Sequence, residues 1–172
     1  GISTQYAYDS LNRLVSISYL GSEENVTYNY DSSEASRYGI GQLTSIIQSN
    51  NSLDYYYNEF GEISKASVVI NGNHYHTVYN YDKGLLKKMV YPSGREIHYT
   101  YNTLGKITKV GSLYQGKSLT LAENISYLPY GSVSSLSYGN GKVLTNTFDD
   151  WYFLTNKQIS GVLDYTYSYD TG

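Results

Sequence analysis

The sequence predicts an all-β protein, a curved single-layer antiparallel sheet of consecutive β-hairpins. Three observations predict it: a tyrosine pair recurs along all 172 residues, turn-forming residues follow each pair, and 23 Tyr stand against 3 Phe and 1 Trp. Tyrosine favours strands and joins a broad apolar ring to a hydroxyl that can stay hydrated. A closed core takes Phe and Leu, which bring no buried oxygen to satisfy, whereas a thin sheet hydrated near both faces can use Tyr throughout. The bias therefore predicts shallow burial.

The pair has the form Tyr-x-Tyr-Asp/Asn. It occurs at Tyr6-Ala7-Tyr8-Asp9, Tyr28-Asn29-Tyr30-Asp31, Tyr55-Tyr56-Tyr57-Asn58, Tyr79-Asn80-Tyr81-Asp82, Tyr99-Thr100-Tyr101-Asn102 and Tyr167-Ser168-Tyr169-Asp170. Degenerate copies stand at Ile125-Ser126-Tyr127-Leu128 and Asn146-Thr147-Phe148-Asp149, so the second aromatic returns every 20 to 27 residues. Such a period is the mark of a repeat architecture. Within a pair, both rings point to one face of a strand.

Each pair leads into turn chemistry. In Asp9-Ser10-Leu11-Asn12, Asn58-Glu59-Phe60-Gly61, Asn102-Thr103-Leu104-Gly105 and, more loosely, Leu128-Pro129-Tyr130-Gly131, Asp or Asn opens the turn in all but the last. Its side chain accepts main-chain N–H groups, and Gly or Asn at the fourth place tolerates positive φ. Asp31, Asp82 and Asp170 are expected to close turns in the same way. A second set of breakers, at Leu20-Gly21-Ser22, Asn71-Gly72-Asn73, Pro92-Ser93-Gly94, Gly139-Asn140-Gly141 and Ser160-Gly161, falls midway between pairs. Each repeat is thus two strands and two turns, and the chain is a single array over 1–172 of about seven repeats.

After the turn, apolar residues stand three apart, as in Leu14 and Ile17, Leu43 and Ile46, Ile63 and Ala66, and Ile107 and Val110. A flat strand puts such residues on opposite faces. Helical spacing is the rival reading, but it never reaches a third turn and β-branched residues surround it, so a β-bulge beside the turn glycine is the preferred expectation, which adds twist and curvature. Tyrosine rings of successive pairs are expected to stack into ladders across the sheet.

The grammar Tyr-x-Tyr-Asp-x-x-Gly-Arg-Leu is fullest in residues 6–14 and 99–107, and it resembles the RHS/YD repeat over essentially the whole chain. Similar phrases appear at Tyr91-Pro92-Ser93-Gly94 and in the stretch from Tyr130 to Gly141. The resemblance implies an open segment of a spiral β-shell. In bacterial toxin complexes and polymorphic toxins of this family the shell encloses a toxin domain; wall-associated YD-repeat proteins and the teneurins are similar. The family's Asp-Pro-x-Gly-Leu type segment and self-cleaving aspartates are missing here.

Chemical motifs are few. Gly111-Ser112-Leu113-Tyr114-Gln115-Gly116-Lys117-Ser118 matches the phosphate-loop pattern, but Leu119-Thr120-Leu121 alternates like a strand and Pro129 precludes a following helix, so a turn with exposed Lys117 is expected. His74 and His76 share a strand face and His98 stands apart, a set too small for a metal. Asp149-Asp150 and Glu23-Glu24 belong to turns. There is no cysteine, no Gly-x-Ser-x-Gly elbow and no catalytic set. No metal or cofactor is expected, and the protein is expected not to be an enzyme.

With a net charge of −3 and 12 Lys plus Arg scattered singly, nucleic acid is excluded as a partner, and no apolar run is long enough to span a bilayer. The expected role is a structural shell segment, its partners being other repeats and an enclosed toxin-like domain. The alternative is a carbohydrate-binding or adhesion module using exposed tyrosines, and open strand edges admit edge-to-edge self-association. The start at Gly1 without Met and the end inside a motif suggest part of a larger bacterial protein, secreted or at the cell surface, with its export signal elsewhere.

Overall fold

The computed structural model describes residues 3–20 and 24–170. Gly21 and Ser22 of the first midway breaker, Glu23, and Thr171 and Gly172 lie outside the described residues. The first strands are β1 Thr4–Tyr8, β2 Leu14–Tyr19, β3 Val26–Ser32, β4 Gly39–Gln48, β5 Asn51–Tyr57, β6 Ile63–Ile70 and β7 Asn73–Asp82. They are followed by β8 Leu85–Val90, β9 Glu96–Tyr101, β10 Ile107–Tyr114, β11 Lys117–Tyr127, β12 Val133–Tyr138, β13 Val143–Phe148, β14 Leu154–Ile159 and β15 Leu163–Thr166. One 15-stranded sheet takes them in chain order, as an all-β hairpin array requires.

Two compact units divide the chain, with β8 shared between them. In the first, β1 to β7 pair antiparallel, each with its sequence neighbour. In the second, β9 to β15 do the same.

Six turns share one geometry among the described residues. They open at Asp9, Asn58, Asn102, Leu128, Tyr138 and Asp149; the first residue's N–H donates to the fifth residue's carbonyl at 2.8–3.0 Å, and the fourth N–H donates back to the first carbonyl at 2.9–3.0 Å. The fourth residue has positive φ in every case, from 60° at Asn12 to 105° at Gly131. This is the three-residue hairpin loop that ends on a left-handed residue. The Asp or Asn that opens four of them accepts the third and fifth N–H groups through Oδ1, as Asp9 does from Leu11 and Arg13, both at 2.9 Å. Among the described residues, Asn71-Gly72-Asn73, Pro92-Ser93-Gly94 and Ser160-Gly161 fall on the intervening turns, while Gly139-Asn140-Gly141 belongs to the turn opening at Tyr138; at Asn71-Gly72 both residues have positive φ, 49° and 77°.

Three predicted turn closers differ. Asp31 has Glu34 at the fourth place, where positive φ is costly for a residue with a side chain. The chain instead makes a short 3-10 helix at Ala35–Arg37, and β4 starts only at Gly39. Asp82 has its glycine one place early, so Lys83 and Gly84, with φ of 52° and 76°, connect β7 to β8. Asp170, with Tyr167 and Tyr169, follows β15 outside any strand.

The predicted bulge exists, but it lies within the strand after the turn. Tyr8 faces Leu14 while Ala7 faces Ser16, so Val15 is the extra residue. The same step makes Thr44, Ser64, Thr108, Ser134 and Thr155 extra in later hairpins. Tyr6 consequently faces Ile17, and the spacing of three between Leu14 and Ile17 meets the spacing of two between the tyrosines. The bulge hydroxyl often bonds across the strands: Thr44, Thr108 and Thr155 donate to the carbonyls of Asn29, Thr100 and Thr147 at 3.1, 3.3 and 3.1 Å.

Burial is shallow, as the tyrosine bias predicts. Tyr57 and Leu144 are the buried hydrophobic side chains among the described residues. Some positions are nevertheless tight. The Gly139 N–H donates to the Leu121 carbonyl at 2.9 Å, and a Cβ added at Gly139 would stand 1.7 Å from the Thr120 carbonyl oxygen. At Gly111 the nearest atom to an added Cβ is 3.7 Å away, an ordinary contact. Gly139→Ala should therefore cost about 2–4 kcal/mol in chemical denaturation, and Gly111→Ala about 1 kcal/mol or less. Equal midpoints for the two variants would contradict this packing.

Candidate functional site

The recurring side chains converge on one arrangement. A bulge interrupts the ladder, so the carbonyl beside it needs a donor from elsewhere. At five places among the described residues that carbonyl belongs to an apolar residue early in the strand, and the second tyrosine of a following pair supplies the donor. The hydroxyl of Tyr30 donates to the Leu14 carbonyl at 3.0 Å, that of Tyr57 to Leu43 at 2.6 Å, and that of Tyr101 to Leu86 at 2.7 Å. Tyr127 donates to Ile107 at 2.7 Å and Tyr169 to Leu154 at 3.0 Å. Each rung ties one repeat to the repeat before it.

Phe148 has no hydroxyl to give. The carbonyl it would reach, that of Val133, accepts instead from Asn146 Nδ2 at 2.9 Å, two places earlier in the same pair. The role is kept by a different side chain. Tyr8 has no earlier repeat in this chain and is 58% exposed, whereas Tyr57 is 7% exposed.

At three of the five rungs the residue before the apolar acceptor covers the same ring. Arg13 lies over Tyr30 at 4.4 Å and Lys106 over Tyr127 at 5.2 Å. Phe153 holds this place against Tyr169, with centroids 5.0 Å apart. Cations over aromatic faces are attracted by the ring quadrupole. Arg13 also bridges Asp9 at 2.8 Å and Asp31 at 2.5 Å. The Asp31 hydrogen bond, with that of Asp9, pushes the guanidinium further up. The Asp31 carboxyl is held below the usual range by Arg13 and then by the Gly41 N–H.

The expected ladder of stacked rings is corrected accordingly: successive pairs are joined by phenol, carbonyl and cation. The Tyr55 and Tyr57 rings, 6.5 Å apart, meet within one pair, and Tyr130 meets Tyr152 edge-on at 4.8 Å from one turn to the next. Tyr6, Tyr28, Tyr55, Tyr79, Tyr99 and Tyr167 hold the first place of their pairs, while Gly61, Gly105 and Gly131 take the positive φ of their turns. Tyr81 lies near Glu62, and burial first, then that carboxylate, raises its phenol.

The phosphate-loop lookalike is a hairpin, β10 turning at Gln115-Gly116 into β11, with Lys117 exposed. His74 and His76 stand exposed with rings 6.3 Å apart, and the described residues contain no metal-holding cluster. One pair escaped sequence reasoning: Glu96 bonds His98 Nε2 at 2.8 Å and Lys88 at 3.2 Å. These contacts, that of Lys88 foremost, hold the Glu96 carboxyl below the usual range. Also missed were the carbonyl acceptors, whereas the turns at Gly139-Asn140-Gly141 and at Asp149 stand where the sequence predicts them. A recurring apolar-Ser/Thr step, as in Leu43-Thr44 and Ile107-Thr108, was the signal for the bulges.

No family model and no curated protein matches the sequence. Among solved structures, 99% of this chain superposes on the crystal structure of TcdB2-TccC3-Cdc42, with a TM-score of 0.82 and 13% identity. The same holds for 98% of it on the Photorhabdus luminescens Tc holotoxin pore (TM-score 0.78, 15% identity), and for 99% on TcdB2-TccC3 without its hypervariable C-terminal region (0.81, 14%). This is the RHS/YD-repeat fold. Such toxin complexes contain RHS/YD-repeat shells, and this chain spans 10% of the length of each matched chain. The RHS/YD-repeat grammar has a physical meaning here: Tyr donates, Asp or Asn caps, Gly turns, the cation covers the ring, and Leu offers its carbonyl.

Two outcomes test the rungs. Tyr57→Phe leaves the Leu43 carbonyl without its donor and should cost about 1–2 kcal/mol, whereas Tyr8→Phe should stay within about 0.5 kcal/mol of the parent in denaturant unfolding. Burial raises the phenols of Tyr57, Tyr81 and Tyr101 above their ordinary value. The unfolded chain then ionises first, so stability is fully present below about pH 10 and is lost as pH climbs through the folded values. The thermal midpoint should fall steeply above that pH, together with late-titrating phenols in tyrosinate absorbance; a midpoint insensitive to alkali would contradict the rungs.

Proposed function

We propose that this chain is a structural wall segment, one array of about seven repeats over 1–172, within a longer secreted or cell-surface bacterial protein whose shell encloses a toxin-like domain. The observation that carries the reading is the hydroxyl-to-carbonyl rung, found at five successive-repeat junctions. The recurring side chains serve cohesion between repeats, and the reading is therefore architectural and not enzymatic. The likeness to shells of toxin complexes, in which a toxin component is enclosed, supports it. In the full-length gene product, limited proteolysis should leave a non-repeat polypeptide protected, and cryomicroscopy should place it inside a wall of these hairpins. A wall with solvent on both faces and no protected polypeptide would overturn enclosure.

A second reading, a carbohydrate-binding or adhesion module, is favoured by aromatic side chains that the rungs leave open. Tyr6, Tyr8 and Tyr165 are exposed, as are Phe60 and Trp151 in their turns.

A further inference from the structure

The turn geometry uses only the main chain of the third residue of the hairpin loop. At Asp149 the turn requires only the Trp151 N–H, which donates to Asp149 Oδ1 at 2.9 Å. Yet in five of the six turns the third residue is large and apolar, Leu11, Phe60, Leu104, Tyr130 and Trp151 being 69% to 81% exposed, and Asn140 is the exception. Five solvated apolar side chains at one position of a turn ask for a use outside the fold.

Beneath Trp151 lies a cleft of about 690 Å³, framed by Asp149, Trp151 and Phe153 on one hairpin and by Tyr167, Tyr169 and Asp170 on the segment after β15. Its floor is built. The Tyr169 hydroxyl is fixed on the Leu154 carbonyl at 3.0 Å, and its ring lies 5.0 Å from Phe153. Asp149 is oriented by the N–H groups of Trp151 and Phe153, both at 2.9 Å. Among the described residues, no Lys or Arg lines the cleft.

An equivalent cleft of about 460 Å³ occurs in the first unit, lined by Asn58, Phe60, Glu62, Tyr81, Lys83 and Gly84. It uses the same places: the first, third and fifth turn residues and the second tyrosine of the following pair. The cleft is therefore a property of the repeat. The copy at Trp151 differs in having aromatic residues at both the third and fifth places, where the first unit's cleft has Glu62 at the fifth and Lys83 at its rim.

Aromatic faces beside fixed acceptors suit an amphipathic ring, with C–H groups on the indole and hydroxyls on the carboxylates. Two aspartates without a cation disfavour uronic and sialic acids by like-charge repulsion. We propose that the cleft beneath Trp151 binds a neutral or N-acetylated pyranose of a polysaccharide, with Trp151 as the stacking platform and Asp149 and Asp170 as hydroxyl acceptors. The inference rests on the second reading of function and is independent of enclosure.

Trp151 is the single tryptophan of the chain, so its emission reports on this cleft alone. The full chain would be titrated with cellohexaose and with chitohexaose, following fluorescence and heat. The expected result is a saturable blue shift with one of the two sugars, and binding roughly tenfold weaker in Trp151→Ala, whose melting is unchanged because the side chain is exposed. Heat of binding without an emission change, or equal affinity in Trp151→Ala, would place the sugar elsewhere; that overturns the cleft and leaves the second reading standing. No binding of either sugar, and none on a glycan array, would overturn both.

Discussion

A phenolic hydroxyl donating to a main-chain carbonyl is the interaction on which the rest of this structure depends. A single-layer sheet has no opposing layer against which to bury its faces, so what joins hairpin to hairpin must come from the ladder and from side chains lying along it. The bulge after each turn breaks the ladder at a fixed place, and the next tyrosine meets the carbonyl beside it, as Tyr57 does at Leu43. An unmet carbonyl costs more than an average hydrogen bond contributes, so the tyrosine stabilises the bulge wherever the two meet, as at Leu14, Leu43, Ile107 and Leu154.

This interdependence explains what was legible in the sequence and what was not. The turns opened by Asp9, Asn58 and Asn102 were legible because cap and positive-φ residue lie within four residues of each other. The bulge was legible as a mismatch of spacing, two between Tyr6 and Tyr8 against three between Leu14 and Ile17. The acceptors were not, because a main-chain carbonyl has no side-chain signature and belongs to the preceding repeat, 14 to 20 residues away. Ring stacking was the natural guess for recurring tyrosines, but hydroxyl geometry prevailed. At Asp31 and Asp82 the acidic residue was in place, and the position of glycine decided otherwise.

The exceptions carry as much weight as the rule. Where Phe148 removes a hydroxyl, Asn146 reaches the same kind of carbonyl; where a cation is missing from the fifth place, Phe153 covers the ring of Tyr169. Substitution of one chemistry by another at a fixed point argues that the requirement is the satisfied carbonyl and the covered ring, and that tyrosine and arginine are its usual means. By the same measure, the Lys88, Glu96 and His98 group occurs once and meets no recurring need.

The rungs also have a direction. Tyr30 reaches back to Leu14, Tyr57 to Leu43, Tyr127 to Ile107 and Tyr169 to Leu154, so every donor belongs to the later repeat. An added repeat brings its own hydroxyl and finds the acceptor already held in a formed bulge, while the acceptor it creates waits for the next. In a quasi-one-dimensional array, stability accumulates through such neighbour terms. Each term here is one hydroxyl-to-carbonyl bond, formed whichever of the two hairpins folds second, so a hairpin removed from the array leaves an acceptor unmet on the repeat before it and a donor unmet on the repeat after it.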